Sequence, residues 1–420
     1  MTQIKPQRGS RCAPHTWGLG TLVNHVAEGD NPLNAQVTPI YQTSTFGFAD
    51  VASGAAIFKG EQPGYIYTRM GNPNLEQLAV KLTALEAVDL LRARPGAPLE
   101  DIAGGLVFAS GMAAITAALL ARLKSGDTII VQEALYGATF NLIKDFAARF
   151  NFQVAWLHDL SAESWQAAFH QHPQARLAYV ETPANPTLAI VDLGAVADIA
   201  HQYGAWLVVD NTFATPYCQR PFNLGADVII HSTTKYLSGH GLIIGGVVIS
   251  THVDFVRKEL VTMLKNLGGS ASPFDAWLTN NGLKTFELRM ARHCENAAAI
   301  AGWLEQHPKL GRVFYPGLDS HPAHAVACKQ MLSFGGMLSF ELKGGLAAGV
   351  SLMDHLQLAS LAPTLGNLET LVQHPASMSH ASVAPEERVR MGISDGLVRL
   401  SVGIENVEDI MADLEQALAY

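Results

Sequence analysis

Leu177-Ala-Tyr-Val-Glu181, then Leu193-Gly-Ala-Val-Ala-Asp-Ile-Ala-His-Gln-Tyr203, then Trp206-Leu-Val-Val-Asp210 is the stretch that decides the fold. Two short apolar runs, each closing on a carboxylate, flank a segment of helical length. Runs this short, apolar on both faces, need cover on both sides, which predicts parallel strands joined by a crossover helix. The same texture extends in both directions through runs at Leu106–Phe108, Thr128–Val131, Gln153–Leu157, Asp227–His231 and Gly246–Ser250, with helical segments such as Met112–Leu123 between them. The expectation is an α/β fold with a mostly parallel seven-stranded sheet sandwiched by helices. In such sheets polar residues at the carboxyl ends of strands face the ligand crevice. Here those ends carry Ser110, Glu181, Asp210 and, just past a strand, Ser232 to Lys235.

Outward from this core the pattern changes. Residues 1–60 alternate Gly, Pro and Asn with short apolar pieces and read as an extended arm. Leu75–Leu85 has helical periodicity, and Arg92-Ala-Arg-Pro-Gly-Ala-Pro98 is a loop by composition. Past residue 255 a long helical region runs from Pro273 to about Gln306. Strands near Met337–Leu342 and Val398–Gly403 follow, then a last helix at Val407–Ala419. The expected division is an arm over 1–60, a large domain over 61–255 and a smaller C-terminal α/β domain over 256–420.

Bulk properties narrow the function classes. The chain has 420 residues, 48% hydrophobic and 15% charged, a composition that can bury a large core and argues against disorder. A net charge of −9 with no basic block argues against nucleic acid or an anionic membrane as partner. No apolar run has the roughly 18 residues of a membrane span. Lys5, Arg8 and Arg11 are followed by no apolar stretch, so a signal peptide is not expected and a cytoplasmic location is. Cys12, Cys218, Cys294 and Cys328 are scattered and read as reduced, mostly buried thiols. The sixteen histidines lack HExxH spacing, and no metal is expected.

Five segments carry chemistry. His231-Ser-Thr-Thr-Lys-Tyr-Leu-Ser-Gly-His-Gly241 sets Lys235 after three hydroxyl residues at a strand end. A lysine that attacks a carbonyl must be close to neutral, so it sits partly buried, whereas a structural lysine prefers solvent. Ser232 and Thr234 can donate to phosphate oxygens. Asp210 opens Asp-Asn-Thr-Phe-Ala-Thr-Pro216 at the end of an apolar run, where a carboxylate needs a cationic partner or serves as a helix cap. Phe108-Ala-Ser-Gly-Met-Ala-Ala114 is a strand, a turn and a helix start, an anion site in which Gly111 and Met112 offer backbone N–H groups. Gly64-Tyr-Ile-Tyr-Thr-Arg-Met-Gly-Asn-Pro73 offers the Arg69 fork and the Tyr67 phenol, or is a surface loop. Glu133-Ala-Leu-Tyr-Gly-Ala-Thr139 places an aromatic ring after a strand, able to stack on a flat ligand.

In order, these segments resemble the Cys/Met-metabolism enzymes that depend on pyridoxal 5'-phosphate (PLP). Pro39-Ile-Tyr-Gln-Thr43, Glu181-Thr-Pro-Ala-Asn-Pro186, His374-Pro-Ala-Ser377 and Arg399-Leu-Ser-Val-Gly403 extend the match from about Leu22 to Leu418. The resemblance implies a PLP-dependent transferase fold of the aspartate aminotransferase-like kind, fold type I. It implies that Lys235 holds the cofactor as a Schiff base and moves protons, and that Asp210 pairs with the pyridinium. Tyr136 is implied to stack on the ring and to act as acid or base at the leaving group. Ser110, Gly111, Met112, Thr212, Ser232 and Thr234 are the implied cofactor contacts within one subunit. Tyr67 and Arg69 are the pair expected to reach the phosphate of the neighbouring subunit, to which the arm also contributes. The minimal active unit is then a homodimer, and a homotetramer is expected. Arg399, with Asn185 and Thr364, is implied to bind the amino-acid substrate.

The implied reaction is cleavage or replacement at Cγ of a sulfur-containing or O-acylated homoserine-type amino acid. Pro363 stands where cystathionine-handling relatives carry Glu. Gln373–Val383 and Gly392–Arg399 look most like methionine γ-lyases, whereas Ala138 stands where those usually have cysteine. Gly241-Leu-Ile-Ile-Gly-Gly246 and Ser272–Leu278 lean toward O-acetylhomoserine sulfhydrylases, and Asn280-Asn281 occupies a place where Arg is common. The reading is γ-elimination giving 2-oxobutanoate, ammonia and a thiol, with sulfhydrylation as the alternative and a non-catalytic PLP-binding regulator as the alternative of another class.

Overall fold

The computed structural model describes residues 16–420 apart from 30, 32, 380, 382–384 and 391. Lys5, Arg8, Arg11 and Cys12 lie outside the described residues, as do His380, Ser382 and Val383 of the stretch compared with the γ-lyases.

Seven strands, β1 (Gly104–Phe108), β2 (Thr128–Gln132), β3 (Gln153–Leu157), β4 (Leu177–Glu181), β5 (Trp206–Asp210), β6 (Val228–Ser232) and β7 (Gly246–Ser250), form one sheet in the order β1-β7-β6-β5-β4-β2-β3. β2 pairs in parallel with β3 and β4, and β4 with β5, while β1 and β7 are antiparallel. The sheet is mostly parallel, as the doubly apolar runs require, and β2, β4 and β7 are buried along their whole length. The expected run Asp227–His231 is displaced by one residue. The Asp227 carboxylate instead accepts the Leu207 N–H at 2.8 Å and meets His201 Nε2 at 2.9 Å.

By internal contacts the chain divides into two compact units. The first takes the chain up to Arg122 with Ile230–Ser238 and Leu242–Thr285; the second takes Leu123–Ile229, Gly239–Gly241 and Phe286–Tyr420. In the first unit the arm is not extended throughout, because helices Leu19–His25 and Val51–Lys59 interrupt it. Asp50 and Ser53 cap the second helix reciprocally and Gly60 ends it at φ 73°, a start and stop that the Gly- and Pro-rich texture conceals. Described parts of the rest of the arm are bound to the helix Pro73–Glu86. Asn74 accepts the Tyr41 N–H at 2.8 Å and donates to Pro39 O at 2.9 Å, and Gln77 Nε2 donates to Ala27 O and Thr38 Oγ1. Lys81, fully buried in this helix, pairs with Glu28 at 2.5 Å. Asn280 joins the same network through Gln77 Oε1 and Asn74 O, which accounts for an amide at a place where Arg is common.

The loop 92–98 is shorter than its composition implies, since helices Val88–Ala93 and Leu99–Ile102 close on it. The long helical region after Pro273 is two helices, Pro273–Leu283 and Phe286–Glu305. In the second unit β8 (Leu310–Phe314), β9 (Met337–Leu342), β10 (Ser360–Leu361), β11 (Leu371–Gln373) and β12 (Leu397–Ser401) form a sheet in the order β10-β11-β12-β9-β8. Among the described cysteines Cys218 and Cys294 are buried with their sulfurs 3.6 Å apart, in line with mostly buried thiols, and Cys328 is exposed on the short helix His324–Gln330. Among the described residues no His, Cys, Asp and Glu groups are arranged to hold a metal ion, and no helix is long and apolar enough to cross a membrane.

The last helix, Val407–Ala419, is fastened by one side chain. Asp413 accepts the N–H groups of Gln357, Leu358 and Ala359 at 2.7–2.9 Å. Burial pushes this carboxyl up, but the three N–H groups and Gln416 outweigh it and hold the group below its ordinary range. A depressed pKa contributes stability above the unfolded value and loses it as pH falls through the folded value. Asp413→Asn is therefore expected to cost about 1–3 kcal/mol at neutral pH. In urea melts at several pH values, the gap from wild type should close below the ordinary aspartate pKa of 3.8.

Candidate active site

In the first unit the ends of β1 and β7 are packed backbone on backbone. Ser110 caps the helix Gly111–Arg122, its hydroxyl accepting the Ala113 N–H at 3.0 Å. Gly111 and Met112 open that helix, so their N–H groups have no acceptor a turn earlier, and the helix dipole makes the place attractive to an anion. A Cβ on Gly111 would stand 2.8 Å from the Ser232 Cβ, and one on Gly246 would stand 2.3 Å from Ser110 O. Only glycine lets the two segments approach this closely.

Thr234 sits on the other side of this cradle. Its hydroxyl accepts the Gly245 N–H at 3.0 Å and lies 3.3 Å from Gly245 O, so donation to a phosphate competes with a backbone carbonyl. Lys235 is half-buried in the turn that follows, its N–H on Ser232 O at 3.3 Å. His231, just before, is buried against Glu86 at 2.5 Å. Tyr67 and Arg69 are exposed and face each other, the guanidinium carbon 5.7 Å from the ring centroid, and Arg69 donates to Lys265 O.

In the second unit Asp210 ends β5 and is buried, with the Thr212 N–H on its Oδ1 at 3.0 Å. Its register partner on β4 is Glu181. Glu181 accepts the Tyr136 N–H at 2.9 Å and the Asn185 N–H at 2.8 Å. Tyr136 precedes the helix Gly137–Phe150 and is 46% exposed as a residue, accessible for stacking. Arg399, buried on β12, donates to Asn185 Oδ1 at 3.1 Å and to Thr364 O at 2.9 Å. The three expected substrate residues are thus brought together, Thr364 through its carbonyl.

Burial, and then the charge of Asp210, pushes the Glu181 carboxyl up to about 8 against the two N–H groups that favour its ionised form. The Tyr179 phenol is raised well above its ordinary range, first by burial and then by Asp210 and Glu181. Sequence reasoning placed Glu181 at a strand end without a role. A signal was present in Gln132, the one amide in the run Thr128-Ile-Ile-Val-Gln132, whose side chain accepts the Glu181 N–H at 3.1 Å and donates to its carbonyl at 2.8 Å.

A half-buried lysine behind hydroxyls, a helix-start anion cradle, a carboxylate at a central strand end and a buried arginine fork belong to a PLP-dependent α/β enzyme acting on amino acids. The chain is a member of the Cys/Met metabolism PLP-dependent enzyme family, whose model matches residues 20–419. It is 47% identical over 404 residues to an L-methionine gamma-lyase of Fusobacterium nucleatum subsp. polymorphum, covering 96% of this chain and 98% of that one. It is 40% identical to an O-succinylhomoserine sulfhydrylase of Pseudomonas aeruginosa, covering 95% and 94%. Among solved structures, cystathionine gamma synthase from Xanthomonas oryzae pv. oryzae, in complex with cystathionine, superposes with a TM-score of 0.87 at 40% identity, covering 96% of this chain and 98% of that one.

The residues fit PLP. The Gly111 cradle supplies helix-start N–H donors for a phosphate, and Asp210 supplies a buried carboxylate for a pyridinium. Gly111→Ala is expected to push Ser232 away and weaken cofactor retention by about tenfold or more, on the scale of one lost charge-assisted hydrogen bond. Titration of the cofactor-stripped protein with PLP, followed by absorbance, checks this.

Proposed function

We propose that this chain cleaves L-methionine or a close analogue at Cγ, releasing 2-oxobutanoate, ammonia and a thiol. The observation that carries the reading is the segment beside the arginine fork. Thr364 O holds Arg399, and the residue before it is Pro363, apolar and exposed. A substrate with a second amino-acid head group finds no counter-charge from residue 363, which favours a compact thioether. The similarity to L-methionine gamma-lyases at 42–47% identity over most of the chain supports the same choice.

Bound PLP supplies the electron sink that makes the Cα proton acidic. Lys235 carries the cofactor and, as a desolvated amine, takes the Cα proton and moves protons at Cβ. Asp210 keeps the pyridine nitrogen protonated. Gly111 and Met112, with Ser110, Ser232 and Thr234, hold the phosphate, and Thr212 stays beside Asp210. Tyr136 covers the ring and donates a proton to the departing sulfur. Arg399 takes the substrate carboxylate in its fork, held in place by Asn185 and Thr364.

The exposed Tyr67–Arg69 pair serves the phosphate of a neighbouring copy, so the smallest active unit is a homodimer and the assembly a tetramer, in the cytoplasm. The arm over 1–60 contributes to the neighbour, 61–255 forms the cofactor domain and 256–420 the smaller domain. A second reading, sulfhydrylation of an O-acylated homoserine, is favoured by Gly241-Leu-Ile-Ile-Gly-Gly246 and by the 40% identity to the sulfhydrylase.

The deciding measurement is 2-oxobutanoate release from L-methionine, and homocysteine formation from O-acetyl-L-homoserine with sulfide, using Lys235→Ala as the inactive control. Rapid ketoacid from methionine is expected. Homocysteine without ketoacid would make the sulfhydrylase reading the correct one. Arg69→Ala is expected to weaken PLP retention by on the order of tenfold to a hundredfold, the scale of a lost charge-assisted contact. Unchanged retention after dialysis would remove the shared site.

A further inference from the structure

Glu181 has no role in the proposed chemistry, yet two elements of the proposed site hang from it. It ends β4, is 5% exposed, and its backbone is pinned on both sides by the Gln132 amide. One carboxyl oxygen takes the N–H of Tyr136, at the start of the helix Gly137–Phe150. The other takes the N–H of Asn185, four residues on, whose side-chain oxygen takes Arg399 Nη1. Tyr136 and Asn185 are 49 residues apart in sequence (185 minus 136) and are set by a single buried group.

We infer that Glu181 is a positioning residue that fixes the Tyr136 platform and the Asn185–Arg399 carboxylate fork relative to each other. The inference rests on the reading of Tyr136 and Arg399 given above. Its chemistry is a matter of acceptor count. A carboxyl has two oxygens that each keep a lone pair for an N–H, whether the group is ionised or protonated. A carboxamide of the same shape has one oxygen and an NH₂ that can only donate. Glu181→Gln therefore satisfies one of the two N–H groups and sets a donor against the other, with little change in volume. Either Tyr136 or Asn185 then moves. A displacement of about 1 Å in a group that orients substrate or cofactor is worth on the order of 10²-fold in rate.

The test uses the PLP-loaded full-length protein. E181Q is expected to alter the visible circular dichroism of the bound cofactor or to raise KM for the amino-acid substrate, according to which N–H loses its acceptor, with kcat/KM lower by on the order of 10²-fold. Glu181→Asp keeps both acceptor oxygens on a shorter stem, and its kcat/KM should lie between wild type and E181Q. Wild-type dichroism, KM and kcat in E181Q, with only a lower melting temperature, would reduce Glu181 to a fold-stabilising residue and overturn the proposal. Should E181Q not fold, E181D decides by the same readouts, unaltered values overturning the proposal. Tyr136→Ala separates the two layers of the argument. If it leaves the cofactor dichroism unchanged, the reading of Tyr136 has failed; if it alters the dichroism while E181Q does not change any readout, the positioning role has failed alone.

Discussion

Glu181 and Asp210 end adjacent parallel strands in register, so two carboxylates are buried side by side at the carboxyl edge of the sheet. This is costly in a low-dielectric place. Burial and the charge of Asp210 push the Glu181 carboxyl up, against the N–H groups of Tyr136 and Asn185 that favour its ionised form. Asp210 is the carboxylate proposed for a pyridinium, while Glu181 serves as an acceptor for backbone. Two acidic residues one strand apart acquire different tasks from their surroundings, and the geometry of Tyr136, Asn185 and Arg399 follows from the second.

The anion cradle depends on close approach more than on charge. Gly111, Gly245 and Gly246 each stand where a Cβ would collide with Ser232, Thr233 or Ser110, and these contacts bring the start of one helix against the segment that bears the lysine. The side chains that read as phosphate ligands are in part already used: Thr234 is engaged with Gly245 and Ser110 caps its own helix. In the proposed site the helix-start N–H groups of Gly111 and Met112 are therefore the main donors to the anion, ahead of the run of hydroxyls. Membership of the Cys/Met metabolism PLP-dependent family makes PLP the cofactor, and its phosphate is the anion proposed for this cradle.

Much of this was legible in the chain. Five-residue runs without polar alternation located β3, β4, β5 and β7 at their observed bounds, because a strand covered on both faces leaves an unambiguous apolar signature. Lys235, Asp210 and Ser110 stood out because polar residues at the ends of such runs need a reason. The arm was less legible. Its helix Val51–Lys59 is set by an Asp50–Ser53 cap among Gly and Pro, and its extended parts are held by Asn72, Asn74 and Gln77, polar residues that cap or lie inside another helix. The side-chain contacts that hold such a segment join residues tens of positions apart, and no local period reports them.

The sequence by itself determined the sheet, the helix-start cradle and the family, since each depends on short-range pattern and on motifs in a fixed order. The tertiary structure alone decided how those motifs are coupled. That Glu181 serves both Tyr136 and Asn185, that Thr364 meets Arg399 by its carbonyl, and that Asp413 gathers three N–H groups are outcomes of register and loop closure. Hydrogen-bond direction and the shift of a buried carboxyl depend on distances of about 3 Å between residues remote in the chain, and such distances exist only once the strands are paired.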